Sequence, residues 1–565
     1  MLLHERTKIS DGRRRRTLPG AGVAWGLALG LATPVAAITT LPVDLSDVEQ
    51  THGGQVEHCD EAVAELDFLE AFECGDELFE VVANAVDGVG ANVGDGGRFT
   101  RGPRADLDGP GEWADHFPAR ATGPNAAACV TCHVGAEIGG GGDGSGPAGL
   151  NVMRDPLSTA FAGDFIQRNT PHLFGPGALQ RLAEEMTVEL RARRDAGIAA
   201  ACDSGAVESV ALTAKGVEFG TLDVDCGGVV DASGIDGVDA DLLVRPFQWK
   251  GTEPTVRSFS RGAQHNELGL QPVELVGDGI DGDGDGVVDE MTIADVTAMA
   301  VYLAGQPRPV SQLELNQLRL QLAKAGDAEQ AAELGLPELS AADVASITRG
   351  EETFVAIGCA DCHRPALVVD DPVFSEPSAV PDYRDDPFPA GQPALAETIR
   401  FDLTEDLPDN QFTAGRKNVD LGNFERHASG GAIVRLYGDL RRHDMGPGLA
   451  ENVDESGHGA SVWMTKELWG VGATGQYLHD GRATTLTEAI LEHGGEAVAS
   501  RNAFAALSDG DGEDVVRFLE NLVVFFPEEE DVAAEGENGS DERDRSPKKD
   551  KRSKKKKRAK RKSRR

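Results

Sequence analysis

Apolar residues recur at helical spacing in four stretches of the chain. In Leu179–Ala196 they fall at Leu179, Leu182, Ala183, Met186 and Leu190, a stripe that predicts one helix face turned to a core. Ile293–Leu303 continues the pattern with Val296, Met299, Ala300 and Leu303. Ala341–Ile357 is predicted as a helix capped by Ser340, whose hydroxyl can accept from a free N–H of the first turn. Val515–Val524 carries an apolar stripe at Val516, Leu519 and Val523, with Asp509 as its predicted cap. Strand-like alternation is weaker: Val207–Leu222 predicts a hairpin. One apolar run of 11 residues, Ala21–Leu31, is too short for a membrane span. It follows the basic Arg13–Arg16 and precedes the small residues Val35-Ala36-Ala37, which predicts a signal peptide over residues 1–37 and a periplasmic or secreted protein.

The formal charge of −41 hides an asymmetry. Residues 543–565 hold 16 basic and 2 acidic residues, so the rest of the chain carries −55. Such a body repels nucleic acid and suits basic partners and calcium. Neither the acidic nor the basic part of residues 528–565 can bury a core, so this tail is predicted to be disordered, with electrostatic contact to an anionic envelope as its candidate role. A length of 565 residues allows two to four domains. The expected layout is a lead-in at 38–110, a first domain at 111–335 and a second at 340–527. The link lies near Gln306-Pro-Arg-Pro309, where prolines stop a helix.

Cysteine spacing adds the chemistry. Cys129-Val-Thr-Cys132-His133 and Cys359-Ala-Asp-Cys362-His363 both read as sites of covalent c-type haem. Two thiols three residues apart can add to the two vinyl groups of one porphyrin, and the next histidine then reaches the iron. A zinc site would want a fourth ligand, and a redox CxxC would not need the histidine. The remaining Cys59, Cys74, Cys202 and Cys226 form two local pairs, and Cys59–Cys74 and Cys202–Cys226 are the expected disulfides in an oxidising compartment. The fold class expected is mainly α: two cytochrome c-like haem domains with long loops, a minor β-hairpin and a disordered tail.

Asp281-Gly-Asp283-Gly-Asp285-Gly286 followed by Asp289 fits the start of an EF-hand loop, with carboxylates at positions 1, 3, 5 and 9. Thr292 stands where the bidentate glutamate belongs, so Glu290 or a remote residue would have to replace it. A structural calcium is the expectation.

Several longer motifs carry a resemblance. Leu468-Trp-Gly-Val-Gly472, Tyr477-Leu-His-Asp-Gly-Arg482-Ala-Thr-Thr-Leu486 and Glu492-His-Gly-Gly-Glu-Ala497 stand in that order, with Arg168-Asn-Thr-Pro-His-Leu-Phe-Gly175 and His443-Asp-Met-Gly446 before them. Over about residues 120–525 the chain resembles the di-haem oxidoreductases often labelled thiol oxidoreductases, relatives of bacterial di-haem cytochrome c peroxidases. The resemblance implies an enzyme with a second haem that accepts electrons and a first haem that reacts. It implies hydrogen peroxide as substrate and a small cytochrome or copper protein as donor. The alternatives are a di-haem electron carrier and an oxidase of a protein or organic substrate.

Candidate site residues follow. His133 and His363 are the proximal ligands. Met445 is the distal candidate for the second haem, since a thioether stabilises ferrous iron, with Met464 behind it. For the first haem His172, His265, Met153 and His116 stand open as distal candidates. Glu267, beside His265, is the candidate acid/base for moving a proton. The resemblance implies a tryptophan between the haems, here Trp249 with Trp113 behind it. Arg168 and Arg482 are candidate partners of haem propionates, and His479-Asp480 could support either haem or packing.

Overall fold

The structure is a computed structural model. It describes residues 58–525 apart from 85, 90, 93–97, 100–125, 127, 134–148, 153–164, 283, 285, 385–397, 415–416, 453 and 455. The signal peptide, the basic tail, Trp113, His116, Met153, Asp283 and Asp285 therefore lie outside the described residues. Within them no helix is long and apolar enough to cross a membrane.

The periodic stretches are helices, most of them longer than their stripes. Leu179–Ala196 lies within Pro176–Ser204, which begins at a proline and ends at Gly205 in the left-handed region. The second stripe is the Ile293–Ala304 helix, capped by Thr292. Ser340 caps Ala341–Ala356, and Asp343 reaches back to the Ser340 N–H to close a capping box. The last helix, Asp509–Glu520, starts earlier than its stripe: Ser508 is its cap, and Leu522–Val523 leaves it as a strand. The expected hairpin forms, with Ala214 paired to Val217 across Lys215-Gly216. Both turn residues have positive φ, as a two-residue I′ turn requires. Both expected disulfides, Cys59–Cys74 and Cys202–Cys226, are present.

The expected fold class needs correction. Beside its helices the chain has eight small sheets among the described residues, so it is not a mainly α protein with a minor hairpin. Two separate cytochrome-like haem domains are not shown either. One apolar cluster holds Phe72, Phe79, Leu182 and Tyr302 together with Phe374, Phe401, Val434 and Trp469, while Phe354, Tyr437 and Phe518 beside the second CxxCH form a cluster of their own. Phe68 stacks on Phe401 at 4.2 Å. Buried Arg257 bonds Glu274 and, at 3.0 Å, Glu376, from either half. Val310–Ser311 pairs with Leu522–Val523 at the end of the fold. The physical reason is length: strands of two to four residues show no reliable alternation, and burial against distant strands leaves no local signature.

Two local arrangements nonetheless repeat. The Phe68–Glu80 helix crosses Ile293–Ala304, where a Cβ on Gly75 would collide with the Ala298 carbonyl. Ala341–Ala356 crosses Asp509–Glu520, where a Cβ on Gly350 would collide with the Asp514 carbonyl. One turn after each glycine a phenylalanine, Phe79 or Phe354, packs on an aromatic of the crossing helix, Tyr302 at 5.4 Å or Phe518 at 5.3 Å. A CxxCH turn sits beside each crossing.

Candidate functional site

Each CxxCH folds as one 3-10 turn, Cys129–Thr131 and Cys359–Asp361. The histidine rings then meet the two repeated phenylalanines, His133 at 6.1 Å from Phe79 and His363 at 6.3 Å from Phe354. His133 donates from Nδ1 to the Pro171 carbonyl at 3.0 Å, and His363 from Nδ1 to the Tyr437 carbonyl at 3.1 Å. A backbone carbonyl at Nδ1 fixes the proton there and leaves the Nε2 lone pair for a metal. Burial pushes the His363 pKa down to about 4, with His493 nearby adding to it, so the ring stays neutral.

The cysteines do not suit redox or zinc chemistry. Burial pushes the Cys129 thiol up to about 12 and Cys359 up to about 11, where a redox CxxC needs a lowered thiol. Among the described residues the one three-residue cluster of metal-ligand type is Cys362, Asp439 and His443, and it takes in only one cysteine of a pair. Haem fits these residues better: two thiols for addition, and one imidazole whose Nδ1 proton is fixed, leaving Nε2 for iron.

Cys359, Cys362 and His363 open onto a cavity of about 380 Å³ with mostly apolar walls. Met445 and Met464 both line it, as do Trp249, Trp463, His479 and His493. Met445 is held by a backbone N–H to Ser461 at 2.9 Å, and Met464 by one to Trp249 at 3.0 Å. His443, next to this loop, donates to Asp439 at 3.0 Å and Glu496 at 2.8 Å. Burial works against its charge, but Asp439 and the Cys362 sulfur outweigh it, and its pKa is pushed up to about 11. The sulfur's share applies to a free thiol.

The segment Asn169–His172 ties the first CxxCH to this cavity. Pro171 accepts from His133, while Asn169 donates its backbone N–H to His479 at 2.7 Å and accepts from Trp249 Nε1 at 2.9 Å. His172 donates from Nε2 to the Trp469 carbonyl at 2.7 Å, and its Nδ1 accepts from the Phe174 N–H. Both ring nitrogens are thus used within the protein, which leaves His172 a fastener of this segment. Trp249 meets His479 edge-on at 6.5 Å, and His479 stacks on Trp463 at 3.8 Å. Lys250, fully buried, sits 3.6 Å above the Trp463 ring and donates to three backbone carbonyls.

The other candidates are scattered. His265 and Glu267 lie on a π-helical turn, a geometry that recurs at functional sites. His265 donates from Nδ1 to the Leu270 carbonyl at 3.0 Å. The turn faces the first CxxCH: the Glu267 carbonyl accepts from Ala126, and its carboxylate raises the Cys132 pKa, after burial. Arg168 pairs with Glu451, and Arg482 with Asp480 at 2.7 Å and the Gly448 carbonyl, so both guanidiniums already have protein partners. In the acidic loop Asp281 accepts from the Gly284 and Gly286 N–H groups and Asp289 from Gly279. The Thr292 hydroxyl is committed to capping the following helix.

His493 and His479 were quoted within motifs but given no ligand or relay role by the sequence. The signal for the repeat was present: Gly75-x-x-x-Phe79 and Gly350-x-x-x-Phe354 each precede a CxxCH.

Two CxxCH turns with tautomer-locked histidines, the second beside an apolar cavity, define a haem-binding redox protein. Residues 411–522 match the model of a family described as "Di-haem oxidoreductase, putative peroxidase", so this segment is similar to that family and the chain is an oxidoreductase. The matched segment contains Met445, His479 and His493, and it bears out the resemblance read from the motifs. No curated protein matches the chain. Among solved structures it is similar to Kuenenia stuttgartiensis hydrazine synthase, with 13% identity and a TM-score of 0.33 over 84% of this chain and 98% of that one. It is also similar to a MauG-like protein associated with microbial copper homeostasis, with 11% identity and a TM-score of 0.24 over 62% and 89%.

Proposed function

We propose that the chain is an exported di-haem c-type oxidoreductase that reduces hydrogen peroxide with electrons from a small cytochrome or copper protein. The observation that carries the reading is the shared histidine geometry: both CxxCH histidines give their Nδ1 proton to a backbone carbonyl and keep Nε2 for iron. Haem, once attached at Cys129/Cys132 and Cys359/Cys362, supplies a redox-active iron. The chain's own residues do the rest. The apolar cavity beside Cys359 keeps water from the second site, which suits a haem that takes up electrons. The first site has polar side chains near it, Glu267 and His265, which suits proton movement. Trp249, bonded to Asn169 between the two sites, is the relay, and the His479–Trp463 stack extends it. The periplasmic or secreted location, a calcium held around Asp281 and Asp289, and tethering by the basic tail belong to the same proposal and rest on the sequence.

Electron paramagnetic resonance and optical spectra of the oxidised and half-reduced protein, with and without peroxide, test it. A high-spin ferric signal that grows on half-reduction and vanishes with peroxide is expected. Two low-spin haems unmoved by peroxide would make the protein an electron carrier instead.

A further inference from the structure

We propose that His493, and not Met445, is the distal axial ligand of the haem at Cys359 and Cys362, so that this haem is held by two histidines. The proposal rests on haem being attached there, as argued above. Its own basis is the pair of imidazoles in the cavity. The His363 and His493 ring centres are 6.5 Å apart, with an angle of 57° between planes. Two metal–imidazole bonds of about 2 Å each, plus the two ring radii, account for nearly all of that separation. Both rings line the same cavity.

The protonation matches. His493 donates from Nδ1 to the Ala489 carbonyl at 2.7 Å, one helical turn back, which repeats the arrangement at His363. Its Nε2 therefore carries the lone pair.

The backbone also fixes the ring's position. His493 ends the Leu486–Glu492 helix and is followed by Gly494-Gly495. A Cβ on Gly494 would stand 2.8 Å from the Met445 carbonyl, and one on Gly446 would stand 2.8 Å from the Gly495 nitrogen. The Asp444–Gly446 loop thus forms the wall on which the His-Gly-Gly segment rests. This gives the His443-Asp-Met-Gly446 motif a supporting role, and Met445 becomes a lining residue. Functionally, two imidazoles close both faces of this iron, which removes peroxide binding there and holds its potential below that of a thioether-ligated haem.

The test uses the full-length protein with both haems in place. Near-infrared magnetic circular dichroism of the ferric protein reads the ligand pair directly, because a thioether ligand has its own charge-transfer band. The expected spectrum shows a bis-imidazole haem and no thioether band that depends on Met445 or Met464. His493→Gly should turn that haem high-spin, and added imidazole should restore the low-spin signal. Met445→Leu should leave it low-spin. A thioether band that Met445→Leu or Met464→Leu abolishes, or loss of the low-spin signal in Met445→Leu but not in His493→Gly, would overturn the proposal. A haem count separates the two levels: absence of covalent haem at Cys359/Cys362 overturns the underlying reading and the proposal with it. A full count with a thioether band that either methionine variant abolishes overturns the proposal alone.

Discussion

The two CxxCH regions share a frame and differ in what faces the histidine. Each has a helix crossing closed on a glycine, a phenylalanine one turn later, and a histidine locked by a carbonyl. Around His363 the neighbours are a second imidazole, methionines and apolar walls. Around His133 they include the π-turn with Glu267 and His265, and the carbonyl that holds the ring comes from Pro171 in the linking segment. The frame secures the attachment of a cofactor, and the facing residues set what the cofactor does. On the proposed function, that is how one local design serves both electron uptake and reaction.

The largest effect should come from the thiols. Replacing Cys359 and Cys362 with alanine should remove one of two covalent haems completely, and replacing Cys129 and Cys132 should remove the other. Haem content per chain after denaturation reads this directly. If either pair can be replaced with no loss of covalent haem, the two regions are not equivalent and the comparison fails at its first step.

A smaller effect should arise at the seam between them. His479 lies between Trp249 and Trp463, and its backbone carbonyl holds Asn169. Burial, against the pull of Asp480 and with Arg168, Arg482 and Lys250 nearby, pushes its pKa from 6.5 down to about 4. The unfolded chain takes up a proton as pH falls through 6.5, while the folded protein refuses it until about 4. Stability contributed by His479 is therefore full above 6.5, falls between 6.5 and about 4, and is flat below. The loss should be roughly 3 kcal/mol at most. Denaturant unfolding across this pH window should show the slope, and His479→Asn should flatten it. An equal slope in the variant would mean that the seam is not closed against charge.

Much of this was legible in the sequence, for physical reasons that differ by feature. The helices of Pro176–Ser204 and Ile293–Ala304 announced themselves because a buried stripe must repeat every turn. The CxxCH turns and disulfide pairs were legible because covalent chemistry fixes short spacings. The small sheets were not. Arg442–Asp444 is short and polar, and only its partner Val462–Met464 makes it a strand. The shared core was hidden for the same reason, since Phe68 meets Phe401 only in three dimensions. His493 was visible as a residue, but its place beside His363 was not, because that relation is not a spacing in the chain. Met445 was the ligand candidate the chain offered locally, a methionine in a glycine-rich loop.

The glycine crossings give the finest comparison. Alanine normally stabilises a helix over glycine by about 0.5–1 kcal/mol. Gly512, in the Asp509–Glu520 helix, has nothing within 4 Å of its missing Cβ, so Gly512→Ala should show that gain. At Gly350 the added methyl meets the Asp514 carbonyl and lies 2.8 Å from the Phe518 Cβ, and at Gly75 it meets the Ala298 carbonyl and lies 2.6 Å from the Tyr302 Cβ. Overpacking of this kind costs about 1–3 kcal/mol, so Gly350→Ala and Gly75→Ala should both lose stability where the control gains it. Chemical denaturation of the three variants measures the signs. The Gly75 crossing packs in the cluster of Phe79 and Phe401, and the Gly350 crossing in the cluster of Phe354 and Phe518. The number of transitions tests whether the two clusters unfold together: one transition shifted by each variant makes them one cooperative unit, and two transitions, one moved by each glycine, show that the two regions fold apart.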